Sequence, residues 1–337
     1  MRRVACLLLS VLAAALVAGC GSKTDRIAPA GSNRVRVMLD YFPNADHVGL
    51  YTALKEGDFG RAGLDVRVVT PGDPSAPLKL LQAGKVDLAI SYEPEVLLAR
   101  DRGAQLVSVG AIVQRPLTSI ISIGGGNAVK TPAQLRGKTV GTAGIPYQSA
   151  YLKTILARAH VPASSVHQTS VGFNLVPAML SKKVDATLGG FWNYEGIQLR
   201  QAGKKPSIIR VDQAGVPTYD ELVLVARRQY AGAHGSEIRR FIQALGRGYA
   251  RVRSDPATGV RDLLSAVPDL RRSEKLQQAA VRATIPAFFP SASKPFGWQD
   301  ATAWGRYGRW MYDNHLVHRQ PQAADALTNE FLAGQGG

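Results

Sequence analysis

Leu81-Gln82-Ala83-Gly84-Lys85-Val86-Asp87-Leu88-Ala89-Ile90 is followed, 98 residues later, by Met179-Leu180-Ser181-Lys182-Lys183-Val184-Asp185-Ala186-Thr187-Leu188. Each copy carries the end of a helix, a Lys-Val-Asp turn and an apolar run that reads as a buried strand. A repeat that spans the same helix-to-strand junction twice predicts two halves of similar construction. Each copy then enters a polar or aromatic loop: Ser91-Tyr92-Glu93-Pro94-Glu95 in the first, Gly189-Gly190-Phe191-Trp192-Asn193-Tyr194-Glu195 in the second. Open α/β sheets bind ligands in loops beyond the carboxyl ends of their parallel strands, so two such loops facing each other define a cleft.

Outward from the repeat, residues 35–39, 65–69 and 87–91 read as strands, with helices over 48–56 and 76–82. The second half repeats the alternation with strands over 138–142, 166–170 and 186–189 and helices over 148–159 and 175–181. This is α/β patterning with largely parallel, doubly wound sheets. The apolar runs 119–123 and 221–225 bracket the second set and are expected to cross between the halves as a pair of strands. The expected organisation is a discontinuous first lobe, 34–122 plus 226–335, around a continuous second lobe, 123–225. The last third reads as helical over 236–253, 257–267, 273–282, 298–313 and 322–333, with Trp304, Tyr307, Trp310 and Tyr312 as packing residues.

The amino terminus has a separate logic. Met1-Arg2-Arg3 supplies positive charge, and residues 4–17 are apolar except for Ser10, which gives the basic and hydrophobic regions of an export signal. The run ends Leu16-Val17-Ala18-Gly19-Cys20 and resembles the lipobox read by bacterial lipoprotein signal peptidase. Residues 1–19 are thus expected to be a signal peptide and Cys20 the lipidated first residue of the mature chain. Residues 20–33, rich in Gly, Ser, Ala and charge, are expected to be a flexible tether. The expected location is the extracytoplasmic face of the membrane.

With 337 residues and 45% hydrophobic positions, the chain can build a sizeable core and is neither disordered nor fibrous. Its net charge is +16, and loss of residues 1–19 removes Arg2 and Arg3 and leaves +14. A basic body beside anionic lipid needs no nucleic acid to explain it. The basic residues are scattered without the interleaved aromatics of a nucleic-acid groove, so no nucleic-acid partner is expected. The two cysteines, Cys6 and Cys20, both lie in the first twenty residues, so no disulfide or cysteine metal framework follows. No Walker loop, Gly-x-Ser-x-Gly elbow or His-Glu-x-x-His occurs, and no cofactor or metal is expected. Gly124-Gly125-Gly126 reads as the tip of a connection, and His315 and His318 read as solvated.

What remains is a set of rings and carboxylates at expected strand ends. Asp40-Tyr41-Phe42-Pro43-Asn44-Ala45-Asp46-His47 lies between the first strand and first helix; it reads either as a cleft-mouth loop or as a capped turn. Thr142-Ala143-Gly144-Ile145-Pro146-Tyr147-Gln148-Ser149 is its counterpart, with a glycine and a helix start whose backbone N–H groups would face a ligand. Phe191, Trp192 and Tyr194 beside Glu195 combine ring faces with an acid. Rings stack on a flat heterocycle, and a carboxylate accepts from its amine or ring N–H. Trp192 is equally consistent with core packing, and Glu195 with a solvated surface.

These residues together resemble a known family. Leu39-Asp40-Tyr41-Phe42-Pro43-Asn44, His47-x-Gly49-Leu50-Tyr51, Gly63-Leu64-Asp65-Val66, Gly84-Lys85-Val86-Asp87, Ser91-Tyr92-Glu93, Leu135-Arg136-Gly137-Lys138-Thr139-Val140-Gly141 and Gly189-Gly190-Phe191-Trp192-Asn193-Tyr194-Glu195-Gly196 are similar to the thiamine-precursor branch of the type II periplasmic binding proteins. The resemblance covers about residues 35–230. It implies a monomeric substrate-binding lipoprotein of an ABC importer, whose lobes close on a pyrimidine such as formylaminopyrimidine and deliver it to a permease. It implies that Glu195 and Phe191 hold and stack the heterocycle, with Tyr41, Asn44 and Tyr92 contributing from the first lobe. Tyr41 and Phe191 stand where the family's Trp and Tyr are expected. The full set of expected ligand contacts is Tyr41, Asn44, His47, Tyr92, Glu93, Gly144, Ile145, Tyr147, Phe191, Trp192, Tyr194 and Glu195. The alternatives are the same fold binding a flavin, or binding a sulfonate or taurine-like anion if Arg115 or Arg200 reaches in. A third is an exported relative of the fungal pyrimidine-building enzyme, whose cysteine-rich motif this chain lacks.

Overall fold

Residues 34–38 alternate arginine with valine, and in the computed structural model, which describes residues 33–124, 128–289, 291 and 293–334, they form strand β1 (Arg34–Met38) with both valines buried. β1 lies parallel between β2 (Asp65–Val69) and β3 (Leu88–Ser91). β10 (Leu222–Arg227) runs antiparallel beside β3 and carries β4 (Leu106–Val113) on its far side, so the order is β2-β1-β3-β10-β4. The second sheet repeats the plan. β6 (Thr139–Thr142) lies parallel between β7 (His167–Ser170) and β8 (Ala186–Phe191), and β5 (Thr118–Ser122) runs antiparallel between β8 and β9 (Ser207–Arg210).

The sequence repeat is therefore a repeat of sheet position, β3 in one lobe and β8 in the other. Its aspartates do the same work in both copies. Asp87 Oδ2 accepts the Arg36 backbone N–H at 2.8 Å, and Asp185 Oδ2 accepts the Thr139 backbone N–H at 2.8 Å. Each ties the turn before the repeated strand to the neighbouring parallel strand, β1 or β6.

The lobes meet at somewhat different residues from those expected. The run 119–123 contributes β5 to the second sheet, whereas 221–225 contributes most of β10 to the first. The two strands do not pair with each other; residues 114–117 and 211–221 make the crossings. A buried carboxylate holds these crossings together: Glu221 accepts from the Leu117 N–H at 2.6 Å, the Thr118 N–H at 2.8 Å, the Thr118 hydroxyl at 2.8 Å and the Tyr219 hydroxyl at 3.0 Å.

The last third supplies helices Gly235–Ser254, Pro256–Ala266, Glu274–Phe288 and Ala301–Asp313. The first of these packs on helix Val48–Lys55 by glycine contact. A Cβ at Gly248 would lie 2.1 Å from the Gly49 carbonyl oxygen, so only glycine permits this approach. Trp304 and Tyr307 are buried as packing residues, whereas Tyr312 is exposed. The expected helix over 322–333 is reduced to Ala323–Ala326. Backbone pairing wins there: Leu327 bridges Ser108, the Thr328 N–H donates to the Ser108 carbonyl at 2.9 Å, and Phe331 and Leu332 turn into the core. Among the described residues no helix is long and apolar enough to cross a membrane. The signal peptide, Cys20 and residues 20–32 of the tether lie outside the described residues.

Candidate ligand site between the lobes

The chain leaves β1 through Leu39 into the loop that carries Asp40, Tyr41 and Asn44. Asn44 caps the short turn Ala45–His47: its Oδ1 accepts the Asp46 N–H at 2.8 Å, and its own N–H donates to His47 Nδ1 at 3.2 Å. A ring nitrogen that accepts cannot also carry the proton, so His47 is protonated at Nε2 and donates from there to Asp40 Oδ1 at 2.8 Å. Asp40 Oδ2 accepts from the Tyr92 hydroxyl at 2.8 Å. Burial and the neighbouring Asp40 charge push the Tyr92 phenol well above its usual range, which keeps it a donor. The first lobe thus presents a fixed wall of Asp40, Tyr41, Asn44 and Tyr92.

Opposite lies the end of β8. Gly189 adopts φ +118°, and a Cβ there would stand 2.3 Å from Gln148 Nε2, so the bare backbone makes room for that amide. Gln148 Oε1 accepts the Ala143 N–H at 2.8 Å, and its Nε2 lies against the bare Gly189 backbone at the cavity wall. Glu195 opens helix Glu195–Gln201, and its Oε2 accepts the Phe191 N–H at 2.7 Å. Burial raises the Glu195 carboxyl to about 7; the Phe191 amide opposes the rise, and the Asp46 and Asp40 charges add to it. Near neutral pH the group is poised between an acceptor and a donor.

These elements border a narrow, partly open cleft whose space, solvent at its mouth included, is about 360 Å³, lined by Asp40, Tyr41, Asn44, Tyr92, Ala143, Ile145, Gln148, Leu175, Gly189, Phe191, Tyr194 and Glu195. Among the described residues its lining contains two carboxyl groups and no lysine, arginine or histidine. Outside it, Tyr41 donates to the Phe173 carbonyl at 2.9 Å, and the Phe42 and Phe173 rings meet with centroids 4.1 Å apart, one ring from each lobe.

Of the expected contacts, Tyr41, Asn44, Tyr92, Ile145, Phe191, Tyr194 and Glu195 are brought together at this cavity. Five are placed elsewhere. His47 is buried behind Asp40 and orients it. Glu93 faces the hinge, where its Oε2 accepts the Asp220 N–H at 2.7 Å. Tyr147 is a core residue whose hydroxyl meets Thr118 Oγ1 at 3.2 Å. Trp192 packs beside the first crossing, with Nε1 donating to the Pro116 carbonyl at 3.2 Å. Gly144 is exposed, and several amides of its loop are engaged: Ala143 donates to Gln148, Gly144 to Thr142 Oγ1, and the Gln148 N–H to the Ile145 carbonyl, while Pro146 has no N–H. Arg115 and Arg200 are exposed and absent from the lining. Asp40, Ala143, Gln148, Leu175 and Gly189 line the cavity without having been singled out as contacts. The signal for Gly189 was its place at a strand end between an apolar run and a second glycine, where a left-handed backbone is the usual reason for the residue.

Comparison with known proteins matches residues 44–258 to the family described as NMT1/THI5 like. A formylaminopyrimidine-binding protein of Halalkalibacterium halodurans is 33% identical over 325 residues, 96% of each chain. A 4-amino-5-hydroxymethyl-2-methylpyrimidine phosphate synthase of Saccharomyces cerevisiae, THI11, is 21% identical over 317 residues, 90% of this chain and 88% of the yeast one. Among solved structures, the alkanesulfonate-binding protein SsuA from Xanthomonas axonopodis pv. citri, bound to MOPS, superposes with a TM-score of 0.68 at 18% identity, covering 88% of this chain and 98% of the other. At that identity the likeness concerns the fold: two α/β lobes in the arrangement of periplasmic binding proteins.

Proposed function

The chain belongs to the NMT1/THI5-like family, and on that footing we propose that it is an extracytoplasmic binding protein that captures an amine-bearing pyrimidine, a thiamine precursor, between its lobes and delivers it to an ABC permease. One observation carries the reading. The interlobe cavity offers ring faces from both lobes and two carboxyl groups, with no cation in its lining. An anionic sulfonate would meet Asp40 and Glu195 with nothing to balance its charge, whereas an aminopyrimidine finds rings to stack on and an acid for its N–C–NH2 edge. Glu195 accepts from the exocyclic amine as a carboxylate, or donates to a ring nitrogen as an acid; Gln148 supplies a neutral donor beside it.

We read binding without turnover: among the described residues the lining has no cysteine, serine or histidine to serve as nucleophile, and its two acids, Asp40 and Glu195, are assigned to recognition. Closure is the working step. The ligand bridges walls that belong to different lobes, favours the closed state, and the permease reads that state. Lipidation at Cys20 would keep the protein beside its permease. The test is calorimetry of the purified protein with formylaminopyrimidine, hydroxymethylpyrimidine, riboflavin, taurine and an alkanesulfonate. The aminopyrimidines bind and the sulfonates do not; tight sulfonate binding with no pyrimidine binding overturns the assignment.

A further inference from the structure

Residues 191–195, where β8 ends, carry three side chains of the cleft, Phe191, Tyr194 and Glu195. This turn is tied to itself: the Tyr194 N–H donates to the Phe191 carbonyl at 3.2 Å, and the Phe191 N–H to Glu195 Oε2 at 2.7 Å. Whatever places one of the three side chains therefore places the other two. One hold on the turn lies at the hinge, where the Trp192 N–H donates to the Leu117 carbonyl at 3.1 Å. The other comes from a helix of the opposite lobe.

Helix Glu274–Phe288 packs in the first lobe on β4, on helix Pro256–Ala266 and on the Ala45–His47 turn, and it also meets the helix that Glu195 opens. Gln277 and Thr284 stand seven residues apart on it, two turns along one face, and both are fully buried. Gln277 Nε2 donates to the Tyr194 hydroxyl at 3.0 Å, and Thr284 Oγ1 accepts from Asn193 Nδ2 at 2.6 Å. One helix face thus grips two successive residues of the cleft turn. Among the described residues, the only other hydrogen bond of the Gln277 side chain runs to Ser273 Oγ, one turn earlier on the chain, and neither Gln277 nor Thr284 lines the cleft. A buried amide is a costly way to make a permanent joint, because it must stay paired. It suits a joint that opens: when the lobes part, water replaces the lost partner, whereas an apolar seam would resist parting.

We propose that Gln277 and Thr284 are positioning residues of the ligand site: without touching the ligand, they seat the 191–195 turn as the lobes close and so bring Phe191, Tyr194 and Glu195 to it. The proposal rests on the reading of the cleft as the ligand site. The two residues set release rather than capture, because their bonds to the turn form only once the lobes have met.

The test is stopped-flow binding of formylaminopyrimidine to variants of the purified protein. Gln277→Met keeps the length and removes the donor; Thr284→Val keeps the shape and removes the hydroxyl, which Thr284→Ser restores. Release should be about five- to tenfold faster in Gln277→Met and Thr284→Val, with association within about twofold of the wild type and recovery in Thr284→Ser. Gln278→Ala, the next residue on the helix, bonded to Glu274, leaves both rates within about twofold. Because Gln277 acts through the Tyr194 hydroxyl, adding Gln277→Met to Tyr194→Phe should speed release by less than about twofold more, a result that general loosening of the helix does not produce. If Gln277→Met does not fold, Gln277→Leu takes its place. Unchanged release in Gln277→Met and Thr284→Val, or full additivity with Tyr194→Phe, would overturn the proposal. A wild type that binds riboflavin or a sulfonate but no pyrimidine overturns the choice of ligand alone, and the same cycle is run with the ligand that binds; a wild type that binds none of them overturns both.

Discussion

Asp46 of the first lobe and Asn193 of the second meet across the cleft, Asn193 Nδ2 donating to Asp46 Oδ1 at 2.7 Å, while Asp46 Oδ2 and Asn193 Oδ1 are both buried without a partner. Helix Glu274–Phe288 completes the contact through Thr284, whose Oγ1 accepts from the same amide at 2.6 Å. An orphan acceptor on each of these two side chains makes the contact sensitive to a single proton, since a protonated Asp46 turns one acceptor into a donor.

Burial raises the Asp46 carboxyl from 3.8 to about 6; His47 opposes the rise and Asp40 adds to it. A raised acid contributes stability that is present below its unfolded value and is lost as pH climbs through the folded one. Asp46→Asn removes the titration and supplies a permanent donor. Its melting temperature should exceed that of the wild type at pH 8, by the equivalent of up to about 3 kcal/mol, and the gap should close below about pH 4. Thermal unfolding across pH 4–8 checks this; a gap that does not change with pH contradicts it.

Glu195→Ala should lose about 2–4 kcal/mol of affinity for the best aminopyrimidine, because the cavity's other acid, Asp40, is already engaged by His47 and Tyr92. Glu195→Gln keeps the shape and the acceptor, so its loss should be smaller. Calorimetry with the two variants decides, and equal affinity in wild type and Glu195→Ala removes the residue from the site.

Gly189→Ala sets a Cβ against the Gln148 amide in a backbone conformation that L-residues rarely adopt. The strain is about 1–3 kcal/mol, and the displaced amide leaves the cavity wall. The expected outcome is a folded protein with a lowered melting temperature and pyrimidine affinity reduced at least about tenfold. Gln148→Ala should reproduce the lost affinity without the strain.

Glu221→Ala removes the acceptor for two amides and two hydroxyls at the crossings. Those donors remain buried, so urea unfolding should show a loss of at least about 3 kcal/mol. Glu221→Gln, which retains one acceptor oxygen, should fall between this variant and the wild type.

The two acids that follow the repeated strands show what could be read beforehand. Glu93 and Glu195 each open a helix after the repeat and looked equivalent in sequence. The first helix starts directly after β3, so Tyr92 takes the cleft-facing position and Glu93 turns to the hinge. The loop after β8 is two residues longer, and Glu195 faces the cleft. Eight strands, both lobes and four of the ring-bearing contacts were legible because they rest on periodicity and local residue type, whereas β4 and β9 were not read as strands. Gln148 was not, since its role depends on a backbone angle at Gly189, forty-one residues away.

The strand that fills the gap between β3 and β4 has a consequence for how the molecule comes into being. A chain emerging from the ribosome has every strand of its second sheet in hand once Arg210 is out, yet the sheet it began with lacks an inner strand until Arg227 follows. The middle of the polypeptide can mature while the beginning waits, so a product halted between these two residues would carry one finished half and one with two separated edges open to aggregation.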